Sequence, residues 1–569
     1  MSKNARIITL ATLLIVAIIA SIIMVIVFAT RHGDQSSSGN FEYTTSGMSC
    51  TITGYTGDDE TVYIPERIAG KKVVAIKEGT FKGKSVVNIE FNGNYGDISI
   101  GEGAFSNMSS LVYVKLPQGL TKIPNKAFYD CKKLTHVTIP STVMNIGDYA
   151  FYNCSSLVYS GASEDDGMIF PSDLLSVGKY AFYGCNAIAK LTLNDKLESI
   201  EEYAFNKASN LKTLVVGEGS SLTTLGDHAF DSAKLESTTS DPIVFPKLEN
   251  IGKYAFANNT SYFNYFYLVK SVKLVDDYAF SGCSNLTTVH YDEDIALTST
   301  GKGVFFNDSA LVTLQAKDSA LSASNSLPES MTTIAELTFS GCYNLLNKKD
   351  FEIGKNIAEI GSGAFALYNS TYSSRATQTL YELKVDYQNE NFKMQALDNF
   401  KRPNTTELSR TRHSLLMDKS GQTLIAYIGT YTTFERTSDS EYNGCYRTDP
   451  SDLNNKTHNA FTFLDTEEIR NTLTTIGDYA FAGVRFDRIY IVPGVKNIGN
   501  FAFKGSDVDV VLFGSNDCIF DSDTFDSTQS DLTVYLMKGT SGGRVQEQIS
   551  TMQEEGATIE FGWMDEMFK

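Results

Sequence analysis

Histidine is scarce in this chain, with six in 569 residues: His32, His136, His228, His290, His413 and His458. None lies in H-E-x-x-H, and their spacing fits no metal or triad template, so surface or repeat variation is the reading. Eight cysteines form no C-x-x-C pair, which excludes thioredoxin-like and zinc-ribbon chemistry. G-x-S-x-G, P-loop and Rossmann fingerprints are missing too. Basic residues are outnumbered 48 to 67, a net charge of -19. That argues against a nucleic-acid binder, because phosphate neutralisation needs a clustered basic surface. The acidic clusters Asp58–Glu60, Asp165–Asp166 and Asp292–Asp294 lack the spaced ligands of a calcium loop and read as solvated loops. No cofactor and no metal is expected. Tryptophan occurs once, at Trp563, against 35 Phe and 30 Tyr. Such a skew points to one Phe-containing unit used many times.

Charge is also missing from Ile7 to Thr30, IITLATLLIVAIIASIIMVIVFAT. As a helix at ~1.5 Å per residue this run spans about 36 Å, enough for a ~30 Å hydrocarbon core. Lys3 and Arg6 precede it, which predicts the N-terminus inside and the bulk of the chain outside. A cleaved signal peptide is the competing reading, although the run exceeds the usual signal core. Residues 1–6 are then cytoplasmic, 7–30 a transmembrane signal anchor and 31–40 a Gly/Ser-rich spacer.

The remainder repeats itself. I-G-x-x-A-F or a close variant ends at Phe105, Phe128, Phe151, Phe182, Phe205, Phe230, Phe256, Phe280, Phe365, Phe481 and Phe503, with looser copies at Phe81, Phe305, Phe339 and Phe525. Most intervals are 22–26 residues; the exceptions are 31, 34 and the 116 residues between Phe365 and Phe481. Good copies continue as A-F-x-x-C-x-x-L-x-x-V-x-L-P, as in AFYDCKKLTHVTIP from Ala127 to Pro140. The V-x-L part alternates like a short half-buried strand, and Pro ends it for want of an N–H. The Ala-Phe part reads as a short helical or 3₁₀ turn whose Phe fills the interior. One unit cannot bury these faces alone, whereas a stack can.

With these motifs the chain resembles the BspA-type, or Treponema pallidum-type, leucine-rich repeat proteins, over roughly Phe41 to Gly562. The resemblance implies a leucine-rich-repeat array of short parallel strands, an α+β repeat solenoid, preceded here by one transmembrane helix. It also implies a surface protein that binds rather than catalyses. FEYTTSGMSCTITGYTGDDETVYIPERIAGKKVVAIKEGTF (Phe41 to Phe81) resembles the family's opening cap. The expected order is cap strands over 41–75, repeats over 76–365, an insertion over 366–475, repeats over 476–530 and a closing cap over 531–569. LLMDKSGQTLIAYI (Leu415 to Ile428) marks a hairpin within the insertion, and the cap reads strand, helix, strand.

Five cysteines (131, 154, 185, 283 and 342) stand three residues after a repeat Phe, where other repeats place Met108, Ala208, Ala233 or Val484. The slot reads as small, buried and apolar, with packing thiols. A disulfide between neighbouring repeats, Cys131–Cys154 or Cys154–Cys185, is the sharper alternative, disfavoured because ladder side chains point the same way. Nine N-x-[ST] sequons, at Asn107, Asn153, Asn258, Asn259, Asn285, Asn307, Asn369, Asn404 and Asn455, matter only if the host glycosylates exported Asn.

Binding is then left to the exposed strand residues. Stacking aligns Lys115, Thr138, Thr192, His290, Gln315 and Tyr490 in one row, with Tyr113, His136, Lys190, Thr313 and Arg488 two positions earlier. These mixed polar, basic and aromatic rows suit an extracellular protein or glycan. The expected function is binding or adhesion at the cell surface, not enzymology. Two competitors stay open: a structural surface-layer or spacer protein without a ligand, and an enzyme with its site in 366–475.

Overall fold

The computed structural model describes residues 38–160, 167–317, 324–347, 350–366, 383–396, 414–428, 461–463, 467–484, 488–506, 508, 510–520, 522–525, 532–536, 543–554 and 559–563. The apolar run 7–30, most of the 366–475 insertion, His32, His413, His458, Cys445 and the sequons at Asn369, Asn404 and Asn455 lie outside them. Among the described residues no helix is long and apolar enough to cross a membrane.

Most of the described repeats contribute two short strands to two parallel ladders. The V-x-L strands form the first, as in Thr61–Ile64, Asn88–Phe91, Tyr113–Lys115 and His136–Thr138, paired side by side. Their central residues, such as Val114 and Val137, are fully buried, as the alternation requires. The second ladder joins the residue pairs that precede the repeat's Gly. Seven of these two-residue strands, from Lys122–Ile123 to Leu274–Val275, form one uninterrupted sheet. Sequence reading assigned no strand there, since two residues carry no alternation to detect.

The Ala-Phe segment is a chain of hydrogen-bonded turns rather than a helix. Left-handed residues bracket it: Tyr149 at φ 58° and Asn153 at φ 60° flank Ala150–Tyr152 in one repeat. A non-glycine residue in that region interrupts right-handed helix. Its N–H groups alternate in direction. Tyr149, Phe151 and Asn153 donate to Lys179, Ala181 and Tyr183 of the next repeat, while Ala150, Tyr152 and Cys154 donate back within the turn. Every N–H of the segment is thereby satisfied, half of them by the neighbouring repeat. The α component of the expected α+β solenoid is correspondingly small: three short helices among the described residues.

The repeat Phe side chains stack down the interior. Phe128–Phe151, Phe151–Phe182 and Phe182–Phe205 lie 5.1, 5.0 and 5.0 Å apart, with interplanar angles of 11°, 12° and 5°. The cap over 41–75 joins this column through Phe41, Tyr55 and Phe81. At the other end the helix Arg544–Glu554 buries Val545, Ile549 and Met552, and the strands Thr533–Leu536 and Glu560–Trp563 pair in parallel.

Within the insertion, Ser414–Asp418 and Thr423–Ile428 form the expected hairpin. It is also part of the array. Thr423 and Leu424 pair in parallel with Thr475 and Ile476 in the second ladder. Tyr427 donates its N–H to the Ala480 carbonyl, the bond most repeat Phe residues make to the next repeat's Ala, and its ring packs 5.7 Å from Phe481. Thr423 to Tyr427 is thus a degenerate repeat unit, with Leu424 in the Ile slot and Tyr427 in the Phe slot. Leu416 and Ala426 pack into the core of the preceding repeats, Leu415, Met417 and Leu424 into that of the following ones.

Candidate functional site

The strand rows do not form one continuous face. The first ladder is broken into separate sheets, which divide the candidate residues among them. Tyr113 pairs with His136 and Lys115 with Thr138 in one sheet. Lys190 and Thr192 sit in a second beside Thr213 and Val215. His290 pairs with Gln315 in a third, which also holds Thr313, and the strand of Tyr490 and Arg488 lies in another near the C-terminal cap. In the first group Tyr113, His136 and Tyr159 form a short aromatic run with centroid separations of 5.1 and 4.1 Å, and Lys115 donates to Asn92 Oδ1. His290 lies edge-on to Tyr265, with its Nδ1 3.4 Å from the tyrosine hydroxyl.

Gln315 corrects the expectation: it is only 2% exposed. It stands at the end of its sheet, within the 34-residue interval from Phe305 to Phe339, and the next strand, Asn325–Ser326, starts a new one. Buried Asn325 closes the joint, accepting from Leu314 N–H and donating to the Val312 carbonyl. At this joint the array opens a cleft of about 370 Å³, lined by Tyr291, Glu293, Glu329, Glu352, Lys355 and Asp386 among others.

The cysteine slot is buried, and none of its thiols is in a disulfide. The apolar reading of the slot needs correction, because each thiol donates to the carbonyl of the preceding repeat's Phe. Cys131 reaches Phe105 at 3.0 Å, Cys154 reaches Phe128 and Cys185 reaches Phe151 at 3.1 Å each, and Cys342 reaches Phe305 at 2.9 Å. Burial pushes the Cys131 thiol up to about 12 and those of Cys154, Cys283 and Cys342 well above the ordinary value. A thiol held neutral in this way is a poor nucleophile. Polar residues share the slot. Asn259 donates to the carbonyls of Phe230 and Phe256 and accepts from Leu235 N–H. Asp308, fully buried, accepts the Cys283 N–H at 2.7 Å while its Oδ2 has no partner. Burial raises this carboxyl well above the usual carboxylate range. Sequence reading missed both; counting three residues on from Phe256 and Phe305 would have found them.

The turn face presents a feature that no row of strand residues anticipated. In successive repeats Tyr149, Tyr180, Tyr203, His228, Tyr254 and Tyr278 occupy one left-handed position, with φ between 53° and 58°. Their half-buried rings stack in parallel at 4.9, 4.6, 4.3, 4.7 and 5.0 Å. A second, shorter stack of Tyr129, Tyr152 and Tyr183 runs beside it at 4.9 Å spacing. Burial and neighbouring carboxylates raise the phenols of Tyr180, Tyr203 and Tyr254. His228 Nδ1 lies 2.8 Å from Asp231 Oδ2. The residue before each of these aromatics is charged, and Lys179 pairs with Glu202 at 3.1 Å and Lys253 with Asp277 at 3.1 Å; beyond the stack, before Gly303 and Leu337, Lys302 pairs with Glu336 at 2.6 Å. Sequons at Asn107, Asn153, Asn258 and Asn307 fall on the second left-handed position of the turn, which Asn tolerates; fully buried Asn259 is inaccessible. Among the described residues no group of three or more His, Cys, Asp or Glu is placed to hold a metal ion.

Comparison with known proteins follows the geometry. The structure is similar to a leucine-rich repeat protein of T. pallidum at 26% identity over 35% of this chain and 89% of that one, TM-score 0.31. It is similar to a leucine-rich repeat protein of Bacteroides ovatus at 21% identity over 60% and 93%, TM-score 0.39, and to the pneumococcal vaccine antigen PcpA at 14% identity over 92% and 96%, TM-score 0.39. No protein of curated function matches the chain. The model of the BspA-type leucine-rich repeat region, in six copies, matches residues 74–164, 158–245, 240–326, 318–411 and 451–540. With the repeat geometry and most of the chain inside that match, the chain belongs to the BspA-type leucine-rich repeat family.

Proposed function

We propose that this chain is a single-pass cell-surface protein, anchored by Ile7–Thr30 with its N-terminus inside, whose extracellular array binds a protein or glycan without covalent chemistry. The observation that carries the reading is the half-buried aromatic surface of the turn face. Glycine fills the position of Tyr149 in other repeats, at Gly103, Gly303 and Gly363, where a left-handed backbone costs it nothing. Tyrosine there is strained, and strain of this kind marks functional surfaces often enough to motivate the hypothesis. Tyrosine is also among the residues enriched where proteins meet. The chemistry favours a protein over a glycan: sugars dock on open ring faces, and in these columns each face covers the next. Edges and hydroxyls are what the columns offer.

Two measurements test it. Protease treatment of intact cells carrying a C-terminal tag should remove the tag and leave a small membrane-bound N-terminal fragment; a protected tag would refute the surface location. Saturable binding of the full chain to host surface proteins should weaken when Tyr180 and Tyr203 are replaced by Ala. Binding that never saturates would leave the spacer role as the reading.

A further inference from the structure

The charged residues that precede the stacked aromatics have an order with its own symmetry. Along the array they read Asp148, Lys179, Glu202, Asp227, Lys253 and Asp277, and Lys302 holds the same place in the next repeat, where Gly303 replaces the aromatic. Reversing that order about Asp227 sets Glu202 against Lys253, Lys179 against Asp277 and Asp148 against Lys302. Every pair is of opposite sign. About the same repeat, His228 has Tyr203 and Tyr254 on either side, then Tyr180 and Tyr278, while the sixth ring, Tyr149, is set against Gly303.

We propose that this face pairs two copies of the chain, antiparallel, about a twofold axis through the Asp227–His228 repeat. A twofold interface is self-complementary, so residue i of one copy meets j of the other and j meets i. A row of charges satisfies that condition only if it inverts its sign on reversal, which these three pairs do. Spacing adds to the match. Parallel ladders repeat every ~4.8 Å, and a partner that keeps register along the whole column needs the same repeat, which a second copy has. Side-chain exposures of 52% for Lys179, 35% for Glu202, 47% for Lys253 and 35% for Asp277 leave these groups open to a partner while they remain paired within the chain.

The size of the face sets the strength. Six steps of ~4.8 Å by a width of ~15 Å give roughly 400 Å² per copy, about half of a standard interface. An interface of this size belongs with the weak, transient ones. On the axis the two Asp227 carboxylates face one another and oppose association. Asp227 Oδ1 accepts the Lys253 N–H at 2.9 Å, a role Asn125 Oδ1 fills for the Asp148 N–H, so Asn fits the slot.

Sedimentation velocity on the full chain in detergent micelles, from ~1 to ~500 µM, is the test, with circular dichroism as the check on folding. The unaltered chain should dimerise, less tightly at high salt. Lys179→Glu and Asp277→Lys should each weaken the dimer about tenfold, since each turns two attractive contacts repulsive. Together they should restore it to within about threefold. The double variant still carries like charges against Glu202 and Lys253 within each copy, so restoration reports contacts between copies alone. Asp227→Asn should tighten the dimer about threefold. A chain that stays monomeric across the range overturns the proposal, as does a double variant no tighter than either single one.

Discussion

Asp308→Asn should stabilise the array around its repeat, and the gain should grow with pH. In the unfolded chain this carboxyl ionises near the ordinary ~3.9. In the folded chain burial holds it protonated to well above that value. The native state then keeps a proton that the unfolded state has released, so its stability is greatest below ~3.9 and falls as pH rises toward the folded value. The slope is ~1.4 kcal/mol per pH unit. Asparagine does not titrate, and its Oδ1 accepts the Cys283 N–H as the carboxylate does. Asn259 shows that an amide in the same slot finds carbonyl partners. A repeat array unfolds in parts, so a local probe serves better than a global melt. Cys283 and Cys342 are buried thiols in the repeats on either side of Asp308. Their labelling by a dithiodipyridine, corrected for the pH dependence of a free thiol, gives the free energy of local opening. Variant and parent should nearly coincide at pH 4, and the variant's advantage should widen above it by up to ~1.4 kcal/mol per pH unit. A gap that is the same at pH 4 and at higher pH, or an Asn variant that opens more readily at both, would refute a buried neutral carboxyl.

Phe182→Ala removes a fully buried ring stacked between Phe151 and Phe205, and should cost ~3–5 kcal/mol in urea unfolding monitored at its own repeat. Gly119→Ala should cost ~1–3 kcal/mol in the same measurement, because Gly119 has φ 94° and a Cβ there would lie 2.2 Å from the Gly96 carbonyl oxygen. Tyr203→Gly should be more stable than Tyr203→Ala by about 1 kcal/mol: both lose the stacking, and only glycine relaxes the left-handed backbone. The reverse order would show that the backbone at Tyr203 is not under strain.

The repeating unit was legible in the sequence because its features are contiguous and recur. Ile, Gly, Ala and Phe at fixed offsets located the turns that carry the Ala-Phe pair or a close variant, and V-x-L located the first ladder. The second ladder escaped notice since Asn145–Ile146 and its equivalents are only two residues long. Thr423 to Tyr427 went unrecognised as a repeat because it lacks the Gly and the Ala-Phe pair, although its backbone makes the same bonds. The residues of the strand rows fall in the strands the alternation marks, but Gln315 is buried and the rows do not form one surface. Local alternation sets which way Thr138 or Lys190 points; the breaks between sheets depend on interval lengths, such as the 34 residues that leave Gln315 buried. The aromatic columns were visible as a recurring Tyr, yet their stacking follows from a left-handed backbone, and that conformation has no signature when the residue is Tyr rather than Gly.

The two faces of each repeat are under different constraints, and that difference locates function. Inside, each Phe, each Ala and each residue in the cysteine slot answers to the neighbouring repeat, through ring stacking, close approach and a bond to a carbonyl. Substitution there is governed by fit: Asn259 works because it makes the bond a thiol makes, and Asp308 is tolerated with one oxygen unpartnered. On the turn face the backbone asks only for a residue that accepts positive φ, and glycine meets that demand at the lowest cost. Repeats that carry Tyr or His there spend stability on side chains the interior does not use. Stacking returns part of it, ~0.5–1.5 kcal/mol per aromatic pair, comparable to the ~1–2 kcal/mol of each left-handed residue. With the two terms near balance, folding alone gives no reason to prefer an aromatic over glycine in six consecutive repeats. The unbroken run from Tyr149 to Tyr278 therefore points outward, to a surface kept for contact.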